Sequence, residues 1–283
     1  MSGIRAAEPG IRSVGIVGLG LIGGSLARDL AARGVRVQAW DHDPAALHAA
    51  VDTGVVHSAL DDSLTDVAGL DAVVIALPVT AAVDFIARNA VRLADVPLVT
   101  DVCSTKHTIV RQAARLGLAG RFIGAHPFAG DHRSGWQASR TGLFRDATIY
   151  MCPGDAVPVD LVGRLRGMWE SVGAVPEIID PVAHDRQLAW TSHLPQTTAT
   201  ALARALNGAG ISRRLCGPGG RDMTRLADSS ADIWTPIALD NAEPLCEAVA
   251  GLERELATFR EALSRADEQA VRRFFELHGV ERV

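Results

Sequence analysis

Short apolar runs alternate with longer segments of mixed polarity over the first 180 residues of the chain. The runs predict buried strands, because a parallel strand is covered on both faces and has no polar side. The predicted strands are residues 13–17, 35–40, 71–78, 97–101, 121–124, 147–151 and 175–179. Helices are predicted between them at residues 44–54, 81–92 and 105–116. This alternation is typical of an α/β fold with a doubly wound, mainly parallel sheet.

The first junction between strand and helix carries three glycines, Gly18, Gly20 and Gly23, in the spacing G-x-G-x-x-G. The first glycine permits a tight turn, the second lets a pyrophosphate approach the backbone, and the third lets the helix pack against the strand. Asp41 ends the second strand, 23 residues after Gly18, and its carboxylate can accept ribose hydroxyls while repelling a 2′-phosphate. These features predict a Rossmann-like domain that binds NAD. The basic neighbour His42 leaves NADP open as an alternative.

In sheets of this kind, ligands bind outside the carboxyl ends of the strands. This rule adds the exits of two later strands to the predicted cofactor site. The predicted site comprises Gly18, Gly20, Leu21, Ile22, Gly23, Asp41, Leu77, Pro78 and Ser104.

Beyond residue 180 the pattern changes to one helix after another. Residues 181–206 form a long helical pattern that Pro195 interrupts, and the missing N–H of proline predicts a kink there. Residues 245–263 and 268–277 have apolar side chains at three- and four-residue spacing, as in amphipathic helices. We therefore divide the chain into an N-terminal tail (1–12), a dinucleotide-binding Rossmann domain (13–179) and an all-helical C-terminal domain (180–283) for substrate binding and dimer contact.

The composition narrows the possible partners. A formal net charge of -5 and an isoelectric point near 6.0 provide no basic surface for nucleic acid or for an anionic membrane. The N-terminal residues lack the apolar core of a signal peptide, and no apolar run approaches the ~20 residues of a membrane span. A cytoplasmic location is therefore expected. The four cysteines are widely spaced, which is typical of free thiols rather than of disulfides or a zinc site.

Four polar residues are candidates for chemistry. Ser104 follows a strand, where it can cap the next helix or act as a functional hydroxyl. His126 follows another strand, in a loop of small residues on the ligand side of the sheet. In the helical half, His193 is either a ligand for the substrate or a histidine buried between helices. Arg225 either binds an anion or pairs with Asp222, three residues earlier on the same helix.

Five motifs, in this order along the chain, closely resemble those of the prephenate/arogenate dehydrogenases of tyrosine biosynthesis. They read Gly-Leu-Gly-Leu-Ile-Gly-Gly-Ser, Asp-x-x-Ser-x-Lys, Gly-Ala-His-Pro-Phe-Ala-Gly, Ser-His-Leu-Pro-Gln and Arg-Asp-Met-Thr-Arg-Leu-Ala-x-Ser-Ser. The resemblance extends from about Val14 to the last helices. It implies NAD-dependent oxidative decarboxylation of prephenate to 4-hydroxyphenylpyruvate. Arogenate dehydrogenase and a dual-specificity cyclohexadienyl dehydrogenase are the alternatives.

The resemblance also implies a role for each candidate. It places His126 on the substrate hydroxyl, with Ser104 beside it. Arg225 would hold a substrate carboxylate, and His193 would help to bind and orient the substrate. Trp234 matches an aromatic residue that lines the substrate pocket in relatives. Family members are typically homodimers built through the helical domain. From the lengths before the first strand and after the last helix, we expect neither a fused chorismate mutase nor a C-terminal ligand-sensing domain.

The chemistry accounts for these residue types independently. Hydride leaves a carbinol carbon readily only if the hydroxyl proton is withdrawn, and a neutral histidine has a pKa suited to that step. The resulting ketone makes the ring carboxylate part of a vinylogous β-keto acid, which loses carbon dioxide as the ring becomes aromatic. An arginine can bind a carboxylate through two parallel hydrogen bonds. No metal or covalent nucleophile is required.

One position departs from the family pattern. Many relatives carry an acidic residue where this chain has His132, which is followed by Arg133. A basic residue here is less favourable to the ammonium group of arogenate, so the change favours prephenate. The carboxylate of Asp131, next to it, acts in the opposite direction.

Two other classes of protein share part of this pattern. An oxidoreductase of the β-hydroxyacid or imine-reducing kind would have the glycine turn, but it has no need of the histidine motifs. A non-catalytic NAD-binding protein would be expected to lack some of the polar candidates, whereas every expected position is filled.

Overall fold

The computed structural model of the chain describes residues 10–131 and 133–276. Its central feature is an eight-stranded sheet in the order β3-β2-β1-β4-β5-β6-β7-β8. The strands are β1 Ser13–Val17, β2 Arg36–Trp40, β3 Ser58–Ala59, β4 Ala72–Ile75, β5 Leu98–Asp101, β6 Phe122–Pro127, β7 Thr148–Pro153 and β8 Val175–Ile178. Neighbouring strands are parallel except β6 and β7, which pair antiparallel. The prediction of an α/β fold with a mainly parallel sheet is confirmed.

Helices connect these strands and bury both faces of the sheet. They are α1 Leu21–Ala31, α2 Pro44–Asp52, α3 Val79–Leu93, α4 His107–Ala113 and α5 Val159–Ser171. Two apolar clusters result, one around Trp169 of α5 with α1, and one around Phe85 of α3 with α4. Consecutive residues of β4 alternate between the two clusters, as expected of a strand covered on both faces.

The chain beyond β8 is helical, as predicted. Its helices are α6 Pro181–Leu188, α7 Leu194–Gly208, α8 Pro218–Met223, α9 Ala231–Asp240, α10 Ala242–Ser264 and α11 Glu268–Phe275. The predicted interruption at Pro195 takes the form of a wider, π-helical segment, Ala189–His193, directly before α7. Proline has no N–H for the carbonyl four residues earlier, so regular α-helical hydrogen bonding cannot continue through this point.

The chain folds into two compact units. The first runs to Asp185 and also contains residues Asp228–Asp240, so α9 belongs with the sheet, where it packs against α3. The second contains Arg186–Ala227 and the chain from Asn241 onward. The domain boundary after residue 179 stays a prediction. Among the described residues, no helix has both the length and the apolar character needed to cross a lipid bilayer.

Several element bounds differ from the sequence prediction: β4, for example, ends at Ile75 and not at residue 78, and α3 begins at Val79 and not at residue 81. The strand β3 has only two residues, too few for a recognisable apolar pattern. The strand β6 continues to Pro127, beyond the predicted end at residue 124, because β7 pairs alongside it. The helix α4 begins at His107, two residues later than predicted.

Candidate active site

The glycine turn between β1 and α1 excludes larger residues at two positions. Gly18 has a φ of +98°, and a Cβ atom there would lie 2.4 Å from the carbonyl oxygen of Ala76. A Cβ atom on Gly23 would lie 2.0 Å from the carbonyl oxygen of Gly18. At Gly20, the N-cap of α1, nothing in the described structure lies within 4 Å of the Cβ position, and no described side chain caps the helix. The open space and the uncapped N–H groups fit a pyrophosphate.

Backbone donors fix Asp41 at the end of β2. Its Oδ2 accepts the N–H of Leu19 in the glycine turn, and its Oδ1 accepts the N–H of Asp43 at 2.8 Å. A carboxylate has about four acceptor sites, so capacity remains for ribose hydroxyls. His42 lies beside it, with Nδ1 3.1 Å from Oδ1 of Asp41 and a side chain that is 84% exposed. The residues of the turn and Asp41 therefore lie together, and their role in binding the cofactor stays a prediction.

The loops after β4 and β5 lie next to each other. Sγ of Cys103 is 3.4 Å from the carbonyl oxygen of Leu77, which places Pro78 and Ser104 on neighbouring loops. Burial raises the pKa of the Cys103 thiol well above its usual value, so the side chain is a neutral packing residue. Both loops lie at the carboxyl edge of the sheet, as predicted.

A buried ion pair connects β5, α4 and β6. Lys106 is fully buried and forms a salt bridge with Asp101, the last residue of β5. Its Nζ also donates to the carbonyl oxygen of Ala125 in β6 at 2.8 Å. These contacts fix the segment of β6 that carries His126.

Ser104 does not cap α4, which corrects the structural alternative considered for it. The carboxylate of Asp185, in α6, accepts the N–H of Lys106 and the N–H of His107, both at 2.8 Å. A side chain distant in sequence thus takes the capping position, and the helix begins after Ser104. The functional role of the Ser104 hydroxyl stays a prediction.

His126 lies inside β6, paired with Tyr150 of β7, and not in a loop as the small neighbouring residues suggest. It is 8% exposed. Gly124 is small because the strand packs closely under α4: a Cβ atom there would lie 2.8 Å from Cγ2 of Val110. The small residues therefore indicate close packing, and the strand holds His126 more firmly than a loop would.

Two residues of α6 extend a chain of hydrogen bonds from His126. Its Nδ1 lies 2.9 Å from Nε2 of His184, and Nδ1 of His184 lies 2.8 Å from Oδ1 of Asp185. Burial alone would raise the pKa of Asp185, but hydrogen bonds from His184 and from the N–H groups of His107 and Lys106 lower it below its usual value. The sequence alone did not indicate His184 and Asp185, because His184 lies 58 residues from His126 and no motif marks the contact between them.

In the second unit, His193 is buried against Asn241. The amide nitrogen of Asn241 lies 3.0 Å from Nδ1 of His193, and both residues are 2% exposed.

Arg225 lies near the same motif in this unit. Gln196, three residues after His193, donates to the carbonyl oxygen of Leu226 at 2.7 Å, which fixes the turn that begins at Arg225. Arg225 itself is exposed. Among the described side chains, no ion pair joins it to Asp222.

The segment after β6 returns to the glycine turn. The Cβ position of Gly130 lies 3.5 Å from the side chains of Leu21 and Ile22, at the start of α1. The strand that carries His126 therefore leads directly to the predicted cofactor site. Trp234 is half-buried in α9, which also belongs to the first unit.

The charges that follow Gly130 pair with one another. Asp131 forms ion pairs with Arg133 at 2.7 Å and with Arg140 at 3.1 Å. Hydrogen bonds from Arg133, together with the charges of both arginines, hold the pKa of Asp131 well below its usual range. His132 lies outside the described residues.

Two family models match the chain in succession. The model described as prephenate dehydrogenase, nucleotide-binding domain, matches residues 26–178. The model described as prephenate dehydrogenase, dimerization domain, matches residues 180–277. These matches decide against the β-hydroxyacid and imine-reducing alternative.

Individual relatives are similar to this chain over nearly its whole length. The chain is 29% identical to the prephenate dehydrogenase of Bacillus subtilis, over 92% of this chain and 72% of that protein. The structure of Aquifex aeolicus prephenate dehydrogenase, in complex with hydroxyphenyl propionate and NAD+, has a TM-score of 0.86 and 29% identity, covering 94% of this chain and 96% of that one. Synechocystis arogenate dehydrogenase has a TM-score of 0.79 and 28% identity, covering 92% and 95%. The chain belongs to the prephenate dehydrogenase family of NAD-dependent oxidoreductases, as its motifs predict.

Proposed function

We propose that this protein oxidises prephenate to 4-hydroxyphenylpyruvate and carbon dioxide, with NAD as the hydride acceptor. The observation that carries the proposal is the position of His126. It lies buried at the carboxyl edge of the sheet, on a strand whose continuation contacts the start of α1 at the glycine turn. A proton acceptor and a nucleotide-binding turn are thus connected within one unit.

The side chains of the chain would act as follows. His126 accepts the proton of the substrate hydroxyl, which makes the carbinol carbon a hydride donor. Ser104, on the neighbouring strand exit, would donate or accept a hydrogen bond at the same oxygen. NAD held at the glycine turn would supply the hydride acceptor.

Polar residues of the second unit would bind the substrate. The guanidinium of Arg225 makes no ion pair with a described side chain, so its planar fork is available for a carboxylate. His193 would contribute a hydrogen bond. We assign Trp234 to the wall of the substrate pocket, and we propose His132 as a further substrate-binding residue.

Ion pairs around Asp131 favour prephenate over arogenate. An ammonium group would be attracted by an unpaired carboxylate, but Asp131 is already paired with both Arg133 and Arg140. Counted together, these three side chains carry one net positive charge, which suits the keto acid better than the amino acid. We propose that this segment sets the substrate preference.

The assembly and location are also proposals. We infer a homodimer formed through the helical unit, in line with the family description of that part of the chain as a dimerization domain. Light scattering on the eluted protein would give twice the mass of 29.9 kDa for a dimer. We propose a cytoplasmic location, where NAD is available.

The activity is tested by following the absorbance of reduced nicotinamide with purified protein, each cofactor and each substrate. We expect turnover with NAD and prephenate. Absence of turnover in all four combinations would refute the proposed function.

The substrate preference is tested with Arg133→Gln and Arg140→Gln together, which leave Asp131 unpaired. Exposed ion pairs contribute about 0–1 kcal/mol, so the ratio of kcat/KM for arogenate over prephenate should rise by about two- to fivefold. An unchanged ratio would contradict the assignment of this segment.

A further inference from the structure

His126 is the end of a continuous hydrogen-bonded chain that starts at the backbone of α4. The N–H groups of Lys106 and His107 bind the carboxylate of Asp185, Asp185 contacts His184, and His184 contacts His126. Relative exposures are 0% for His184, 4% for Asp185 and 8% for His126, so water does not compete for these contacts.

We propose that His184 and Asp185 are positioning residues that fix the protons of His126, so that its Nε2 is the nitrogen that accepts the substrate proton. This inference rests on the proposed function only for its kinetic consequence. The order of the protons, meaning which ring nitrogen of each histidine carries one, can be measured without any substrate.

The order follows from the donors and acceptors in the chain. The N–H groups of Lys106 and His107 donate to the two oxygens of Asp185, and together with His184 they hold the pKa of this carboxyl below its usual value, so Asp185 accepts as an anion. Nδ1 of His184 then carries the proton that this carboxylate accepts. A neutral imidazole has one donor and one acceptor nitrogen, which makes Nε2 of His184 the acceptor. It accepts from Nδ1 of His126, and the lone pair of His126 is left on Nε2.

The same arrangement supports the charge that forms during the reaction. When His126 takes up the substrate proton, it becomes a cation that still donates from Nδ1 to His184. His184 in turn donates to the anionic Asp185, and the N-terminus of α4 holds that anion in place. In this arrangement His184 and Asp185 act on the reaction only through His126. Their effect should therefore appear in kcat, with little change in the binding of substrate or NAD.

The test compares His184→Leu, His184→Gln and Asp185→Asn with the wild type. Leucine removes the acceptor for His126, whereas the amide oxygen of glutamine can replace it. General bases contribute about 10²–10⁴-fold to a rate, so we expect kcat of His184→Leu to fall about 10²-fold while KM changes less than about threefold. His184→Gln should retain about ten times more activity than His184→Leu. Asp185→Asn should fall between the wild type and His184→Leu.

Two measurements separate positioning from general damage. Fluorescence titration with NADH reports whether the cofactor site is intact, and its dissociation constant should be unchanged in His184→Gln. The matched control is His48→Leu, which removes an exposed histidine of α2 and should leave kcat unchanged.

Nitrogen NMR of the histidine side chains tests the proton order directly. In the wild type, His126 should show a protonated Nδ1 and an unprotonated Nε2, and in His184→Gln this pattern should persist. A wild-type His126 protonated on Nε2 would overturn the inference, as would an unchanged kcat in His184→Leu. If the wild type turns over neither substrate, the proposed function fails, while the NMR result still decides the proton order.

Discussion

His126 and His193 are held by partners of opposite character. Nδ1 of His126 faces Nε2 of His184, the acceptor in the proton order proposed above, whereas Nδ1 of His193 faces the amide nitrogen of Asn241, which donates. Neutral His193 therefore carries its proton on Nε2. His126 can therefore accept the proton of a hydroxyl group, whereas His193 can donate a hydrogen bond to an oxygen.

The role of His126 predicts the behaviour of His126→Asn. Asparagine retains a hydrogen-bonding side chain but cannot accept the proton, so kcat should fall by about 10²–10⁴-fold with a modest change in KM. Steady-state kinetics with prephenate checks this prediction. An unchanged kcat would remove His126 from the mechanism.

Arg225→Ala should act on substrate affinity. Loss of a charge-assisted pair to a carboxylate costs about 1.5–3 kcal/mol, which raises KM by about 10- to 150-fold. The matched control is Arg214→Ala, an exposed arginine in the same unit, which should leave KM near the wild-type value. Equal KM values for Arg225→Ala and the wild type would contradict the assignment.

At the scale of elements, the ion pair of Lys106 and Asp101 connects β5, α4 and β6. Both side chains are 0% exposed, so removing one partner leaves a buried charge without compensation. We expect Lys106→Met to lower the free energy of unfolding by about 3–5 kcal/mol. Urea unfolding measures this change.

The double variant Lys106→Met with Asp101→Asn provides the control for that loss. Because it removes the uncompensated charge as well, it should be more stable than Lys106→Met alone. A double variant as unstable as the sum of the two single variants would show that the side chains do not interact.

The cap that α6 provides for α4 predicts an effect of acid. The pKa of Asp185 is lower in the folded chain than its usual value of 3.8. A group with a lowered pKa stabilises the fold above its unfolded pKa, and this stabilisation is lost as pH falls through the folded value. The urea concentration at the midpoint of unfolding should therefore decrease as the pH is lowered below about 4. In Asp185→Asn this decrease between pH 5 and pH 3 should be smaller than in the wild type. The control Asp155→Asn changes an exposed loop residue and should show the same decrease as the wild type.

Elements were predictable from sequence where the apolar pattern was local. The strands β1, β4 and β5 coincide with short, mainly apolar runs, and β2 alternates polar with apolar residues. The end of β6 and the start of α4 depend instead on β7 and on Asp185, which lie far along the chain. A local pattern carries no information about such partners.

For the whole molecule, the cofactor preference gives a prediction. Because a ligand that binds only the folded state stabilises it, NAD at 100 times its dissociation constant should add about 2.7 kcal/mol. NADP at the same concentration should raise the melting temperature less, since Asp41 repels its 2′-phosphate. Equal shifts would contradict NAD preference, and a smaller NADP shift in His42→Ala would identify His42 as the phosphate contact.

The candidate site was predictable to a similar extent. The glycine turn, Asp41, His126 and the second-unit candidates stand in motifs with characteristic spacing. His184 and Asp185 carry no such signal, because their function depends on contacts made only after folding.

The return of α9 to the sheet has a practical consequence. The chain leaves the first unit after Asp185, comes back for residues Asp228–Asp240 and leaves again, so the units are joined at three points. A recombinant fragment that stops at residue 179 would contain every strand, yet it would expose the surface of α3 that α9 covers. It would also leave α4 without its cap and His126 without its neighbour. The first unit therefore cannot be excised as one uninterrupted stretch of sequence without including Arg186–Ala227 of the second.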